Sequence, residues 1–189
     1  MINIKIAITG TPGVGKSTVS KLLVKKLNNT EKFGNFEYID ITDAVKEHKL
    51  YSEKDEKMDS YVVDFQKLGN YINEIVKSKS ENLVIDGHVS HLLDVDYIVV
   101  LRCNPEIVSN RLKDRNYCKD KVKENVAAEI LDVCLIGALD NSNCKYVYEL
   151  DTTYKNVSSI VGEIVDAITH KKTKYGIVNW LDTYFYMLD

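Results

Sequence analysis

A chain of 189 residues, 44% hydrophobic and 28% charged, is an ordinary globular sequence long enough for one substantial core. No apolar run reaches membrane-spanning length, and Met1 leads straight into a strand with no signal-peptide core, so a cytoplasmic protein without a membrane partner is expected. A formal net charge of −3 gives no general reason to expect direct nucleic-acid binding.

Ile4 to Thr9 reads as a buried parallel strand. It runs into Gly10-Thr11-Pro12-Gly13-Val14-Gly15-Lys16-Ser17, then Thr18. A helical pattern follows, with Val19, Leu22, Leu23 and Leu27 on one face and Lys21, Lys25 and Lys26 on the other. Strand, G-x-x-x-x-G-K-S, helix is the phosphate-binding loop in its proper context. Its chemistry explains its spelling. The glycines let the backbone wrap a polyphosphate closely, so that N–H groups from Gly13 to Thr18 point at its oxygens. The start of the helix adds its positive dipole end. Lys16 is expected to neutralise the β- and γ-phosphates of ATP, and the Ser17 hydroxyl to ligate Mg²⁺.

Beyond a polar connection from Asn28 to Asn35, Phe36 to Ile39 is predicted to be a second strand. Either Asp40 or Thr42 then caps a short helix carrying Ala44, Val45 and Lys46. Glu47 to Asp59 is densely charged and reads as a solvated, mobile face. Phe65, Leu68, Ile72 and Ile75 recur at helical spacing as core residues. Leu83 to Asp86 and Tyr97 to Leu101 do not alternate polar with apolar, as expected of parallel strands covered on both faces.

Pro105 opens a helix with Ile107, Val108 and Leu112 inward and Arg111 and Arg115 four apart on another face. Asn116-Tyr117 ends it. One longer helix is expected from Asp120 to Leu139, its stripe formed by Val122, Val126, Ile130, Val133 and Ile136. Tyr146 to Leu150 gives a fifth strand and Val157 to Ile168 a last core helix. The aromatic tail, residues 173–189, is read as a short helix packed on the body, the other reading being a partner-binding arm. The sum is one α/β domain over residues 1–189: a five-stranded parallel sheet with helices on both faces.

Only Arg102, Arg111 and Arg115 are arginine among the 25 basic residues, and they fall close together. In a chain that otherwise uses lysine, such a cluster suggests the planar fork that suits phosphate. Cys103, Cys118, Cys134 and Cys144 lack metal-ligand or C-x-x-C spacing and read as structural thiols. Asp86, closing a hydrophobic strand, is the natural carboxylate to hold Mg²⁺ beside Ser17. His88, two residues on, is placed to reach a γ-phosphate or a water attacking it; His91 is a weaker candidate.

These segments together resemble the adenylate kinase isoenzyme-six family. The resemblance lies in Gly10 to Thr18, Asp86-Gly87-His88, Leu101-Arg102, Arg111-Leu112, Arg115-Asn116-Tyr117 and Lys121 to Ile130, over roughly residues 4–150. It implies a P-loop NTPase fold with a small monophosphate-binding lobe at about residues 40–63 and a lid at about 114–124. It implies a nucleoside monophosphate kinase using Mg²⁺ with ATP, with ATPase activity. A role in late small ribosomal subunit maturation through a transient small-subunit ribosomal protein partner goes with it. Asp40, Thr42 and Lys46 would serve the monophosphate, and Arg115 would be the lid arginine on ATP. Two residues depart from the family pattern. Asn116 stands where the lid usually has Gly, and Lys46 where some relatives have Arg. The alternative is an assembly factor in which ATP hydrolysis switches partner binding and kinase turnover is incidental.

Overall fold

The computed structural model describes residues 3–30, 33–56, 60–79 and 81–188, with Lys79 described by its backbone alone. Its first unit is β1 (Lys5–Thr9), the phosphate loop and α1 (Lys16–Asn28). Then come β2 (Phe36–Asp40), α2 (Ile41–Glu47), β3 (Tyr51–Asp55), β4 (Ser60–Val63), α3 (Phe65–Lys79) and β5 (Asn82–Asp86). The second half runs β6 (Tyr97–Arg102), α4 (Pro105–Asp114), α5 (Lys119–Ile130), α6 (Val133–Asp140), β7 (Val147–Asp151), α7 (Val157–Thr169) and α8 (Trp180–Tyr184).

Five strands form one parallel sheet in the order β2-β5-β1-β6-β7. Alternation along β1 sorts the core. Ile6 and Ile8 face α1, α4, α5 and α7, while Ala7 faces α2, α3 and α6 with Ile85, Ile98 and Val100. Helices therefore cover both faces, which is why the strands carry apolar residues in succession. This is the P-loop NTPase α/β fold. Because β1 lies between β5 and β6, the chain departs to opposite sides at its C-terminal end, the place where open α/β sheets bind ligands.

The expected single helix over 120–139 is two helices. Asp132 adopts the left-handed conformation, φ 57°, and one side chain of the break engages Arg102. The break turns α6 about its axis, so Val133 and Ile136 are 50% and 54% exposed while Leu135 and Ala138 are buried. Phe65 is also not core: it starts α3 at the surface, 41% exposed, while Leu68 and Ile72 are buried. The charged stretch after α2 is solvated, with Ser52 to Asp55 exposed, but it carries regular structure. It forms the antiparallel β3–β4 hairpin, with the Tyr51 and Tyr61 rings 4.6 Å apart and Lys54 over Tyr61. Lys57 and Asp59 of that stretch lie outside the described residues.

Of the two candidates, Asp40 is the cap. Its Oδ1 accepts from the backbone N–H groups of Thr42 and Asp43. The tail does pack on the body: Trp180 and Tyr184 are half-buried against the core, and Asp189 lies outside the described residues. All four cysteines are free thiols. Among the described residues, no helix is long and apolar enough to cross a membrane.

Candidate active site

The loop between β1 and α1 is shaped by backbone that only glycine takes easily. Gly10, Gly13 and Gly15 have φ of 133°, 96° and 105°. At Gly10 a Cβ would stand 2.3 Å from the Leu101 carbonyl oxygen, so the turn out of β1 is closed to any side chain.

Four of the loop's carbonyls are tied back, and one of its N–H groups is engaged as well: Val14 N–H donates to Thr11 O at 3.3 Å, so it does not face the site as expected. Lys16 Nζ donates to Gly10 O at 2.7 Å and Thr11 O at 3.1 Å. Arg111 Nη1 donates to Gly13 O at 2.9 Å, and Thr152 Oγ1 lies 3.2 Å from Val14 O. Desolvation pushes the Lys16 ammonium's pKa down, and Asp86 most strongly opposes that shift. A partly buried cation with only carbonyl partners is a seat for an anion. Ser17 and Thr18 are exposed at the mouth of the loop, at the start of α1.

Parallel pairing sets Asp86 level with Ile8 of β1 and Asp40 of β2. Burial pushes the Asp86 carboxyl above its usual range, against the pull of Ser17, Tyr38 and Lys16 toward the charged form. Ser17 and Asp86 together offer hard oxygen donors beside a cation-lined loop, which fits Mg²⁺ held chiefly through water and phosphate. Among the described residues there is no cluster of three or more His, Cys, Asp or Glu side chains able to hold a metal alone.

Tyr38 is a site residue that sequence reading missed. Its hydroxyl donates to Asp86 Oδ2 at 2.9 Å, with Asp40 Oδ2 at 3.3 Å. Burial and both carboxylates raise its pKa, so it remains a donor. No local pattern marks it, because only the sheet order puts β2 beside β5.

His88 is exposed to solvent at the edge of the site, but nearby protein desolvates its ring. Together with Lys16, this pushes its pKa down to about 4. It is neutral near pH 7 and able to accept a hydrogen bond. His91 is buried, and its Nδ1 pairs with Thr9 Oγ1 at 2.7 Å, so it belongs to the structure behind the loop.

The arginine cluster divides. Arg111 and Arg115 line a cleft of about 210 Å³ with Gly13, Gly15, Thr152 and Lys155. Arg115 is the C-cap of α4, and Asn116 after it takes the left-handed conformation, φ 59°, which asparagine tolerates better than most residues. Arg102 is not a phosphate ligand. It is buried, donating to Glu129 Oε1 at 2.9 Å, to Glu149 Oε1 at 2.7 Å and to Asp132. Thr42 and Lys46 are exposed on α2, on the β2 side of the site and away from the arginine cleft.

Comparisons with known proteins show the family and the fold. The family model for the AAA domain matches residues 6–132. A Methanocaldococcus jannaschii protein named "Putative adenylate kinase" is 55% identical over 96% of this chain and 95% of its own. The chain belongs to this adenylate-kinase-like P-loop family. A Pyrococcus abyssi relative of the same name is 42% identical over 95% of this chain and 92% of its own. The fold also matches a solved shikimate kinase from Acinetobacter baumannii, with TM-score 0.61 and 17% identity over 91% of this chain and 96% of that one. At that identity the likeness is one of fold. Within the family-matched span lie the loop, Asp86, His88, Arg111 and Arg115.

Proposed function

We propose that this protein is a nucleoside monophosphate kinase of the adenylate kinase type, moving the γ-phosphate of ATP to AMP or a related monophosphate. The observation that carries it is the setting of Lys16. It lies in an intact phosphate loop, Asp86 is the group that most favours its charge, and the loop's Gly13 and Gly15 line the cleft that holds Arg111 and Arg115. The relatives' name points the same way.

In this reading the donor's base and ribose occupy the arginine cleft, and its phosphates lie in the loop. Lys16 and Arg115 offset charge as it shifts between oxygens, and Ser17 and Asp86 would hold Mg²⁺, which would supply further neutralisation of phosphate charge. The acceptor sits in the lobe at residues 40–63, beside Asp40, Thr42 and Lys46, and its phosphate oxygen attacks. That oxygen is already anionic, so positioning and charge neutralisation suffice without a protein base. Residues 114–124, the turn after α4 and the first turns of α5, act as the lid.

Arg115→Lys keeps the charge and loses the fork. A fall in kcat/KM of more than tenfold is expected, about 1.4 kcal/mol of transition-state stabilisation. Steady-state kinetics with Arg111→Lys alongside tests the assignment; a fall confined to Arg111→Lys would reverse the two roles.

His88 supports a second activity, ATP hydrolysis. Its neutral ring lies near Lys16 and can orient a water, which a bound monophosphate does not require. His88→Ala should slow hydrolysis several-fold more than AMP phosphorylation, with both rates measured on one preparation. The motif resemblance alone adds the finer role: a cytoplasmic protein of small-subunit ribosome maturation whose ATP-bound state holds a ribosomal protein. The decisive measurement is ATP turnover with and without each monophosphate. Strong stimulation by AMP supports the kinase, and slow turnover indifferent to monophosphates supports the switch.

A further inference from the structure

Thr11 belongs to the phosphate loop, yet its side chain turns away from the site. The residue is 1% exposed, and its Oγ1 donates to Glu129 Oε2 at 2.5 Å. Its carbonyl is one of the two that anchor Lys16. Glu129 Oε1 in turn accepts from Arg102 Nε at 2.9 Å, Cys103 N at 3.1 Å and Trp180 Nε1 at 3.3 Å. One buried carboxylate therefore joins the loop on one oxygen to the C-terminal segment on the other.

That segment is docked along its length. Lys174 exchanges backbone hydrogen bonds with β7, the Ile177 N–H donates to Glu149 Oε2 at 2.9 Å, and Asn104 Nδ2 reaches the Tyr184 hydroxyl at 2.5 Å. Trp180 packs edge-on against Tyr184, with ring centroids 5.8 Å apart. The tail's attachment thus has several points, and among its described residues the indole N–H is the group hydrogen-bonded to the carboxylate that holds Thr11.

We propose that Trp180 and Glu129 are positioning residues for the phosphate loop. The indole of the C-terminal segment fixes the Glu129 carboxylate, Glu129 fixes Thr11, and Thr11 sets the loop geometry that binds the nucleotide. The inference rests on the loop's reading as a nucleotide site. The carboxylate has to satisfy four donors at once, and removing one lets it rotate toward the rest. A shift there passes directly to Thr11 and through its carbonyl to Lys16.

Trp180 is the chain's single tryptophan, so it reports on its own contact. Titration of the wild-type protein with Mg-ATP, followed by tryptophan emission and by calorimetry, should give an emission change saturating at the calorimetric Kd. Thr11→Val, which loses the hydroxyl and keeps the shape, should still bind ATP but more weakly and without the emission change. Thr11→Ser should restore it. Trp180→Phe should weaken ATP binding about fivefold while shifting the melting midpoint little. The double variant Trp180→Phe with Thr11→Val should bind no more weakly than Thr11→Val alone, since both act through Glu129. Multiplying losses, an unchanged Kd in Trp180→Phe, or a silent emission in a wild-type protein that binds ATP would overturn the coupling. A wild-type protein that binds no ATP by calorimetry would instead overturn the nucleotide reading, and the inference with it.

Discussion

Replacing Lys16 with alanine should reduce phosphoryl transfer by about a thousand-fold or more while leaving the protein folded. The ammonium is the loop's own cation, held by Gly10 O and Thr11 O and stripped of much of its hydration. Polyphosphate oxygens would replace those carbonyls, and a charge contact of that kind in a phosphoryl-transfer site is worth about 10³-fold or more in rate. The side chain's hydrogen bonds go to two loop carbonyls, outside the sheet and helices, so secondary structure should be retained. Only a modest fall in the melting midpoint is expected from freeing two carbonyls. Single-turnover kinetics with γ-labelled ATP and AMP, next to a thermal melt, checks both halves. Undiminished transfer in the variant would remove Lys16 from the mechanism.

Arg102→Ala should be the most damaging substitution for stability. The guanidinium is buried between Glu129, Glu149 and Asp132, and its Nη2 also donates to the Glu129 carbonyl at 2.8 Å. Its removal leaves carboxylates in the core without their cation. Breaking a buried pair by removing one partner costs about 3–5 kcal/mol. Urea unfolding should show that loss as a lower midpoint at an unchanged slope. Combining it with Glu149→Gln should recover part of the loss by removing one stranded charge. A loss below about 1 kcal/mol would mean that the cluster is solvated and that Arg102 is an ordinary surface residue.

The half of the active site that depends on contiguous residues is legible in the amino-acid sequence. Gly10 to Thr18 brings backbone N–H groups together with Lys16 and Ser17 within one turn and one helix start, so spacing alone defines their geometry. Asp86 and His88 are legible too, because a carboxylate ending an apolar strand faces the same edge as the loop. Tyr38, Thr11 and Glu129 do not stand out in the sequence as site or support residues. A tyrosine within a strand, a threonine within the loop motif and a glutamate on a helix carry no local mark. Their importance comes from partners 48 and 118 residues away.

Arg102 shows the reverse failure. Sequence clustering groups it with Arg111 and Arg115, but a strand end and a helix face point in different directions. Arg102 ends β6 and turns beneath the loop, whereas Arg111 and Arg115, four apart on α4, share a face toward the cleft. The α5–α6 break is hidden for a related reason. The apolar spacing from Val122 to Ile136 continues through Asp132, and only the pull of Arg102 on that carboxylate reveals why the helix stops.

The sequence by itself determined the parallel sheet, the phosphate loop and the edge on which chemistry is expected. Each follows from short-range rules: apolar runs, glycine where φ is positive, and a carboxylate at a strand end. Tertiary structure alone decided which arginines line the cleft beside the loop and which is buried, that the charged stretch after α2 pairs as a hairpin, and that the C-terminal segment reaches the loop through Glu129. Those outcomes depend on strand order and on where a side chain finds the partner that offsets its desolvation, and neither is encoded within any one stretch of the chain.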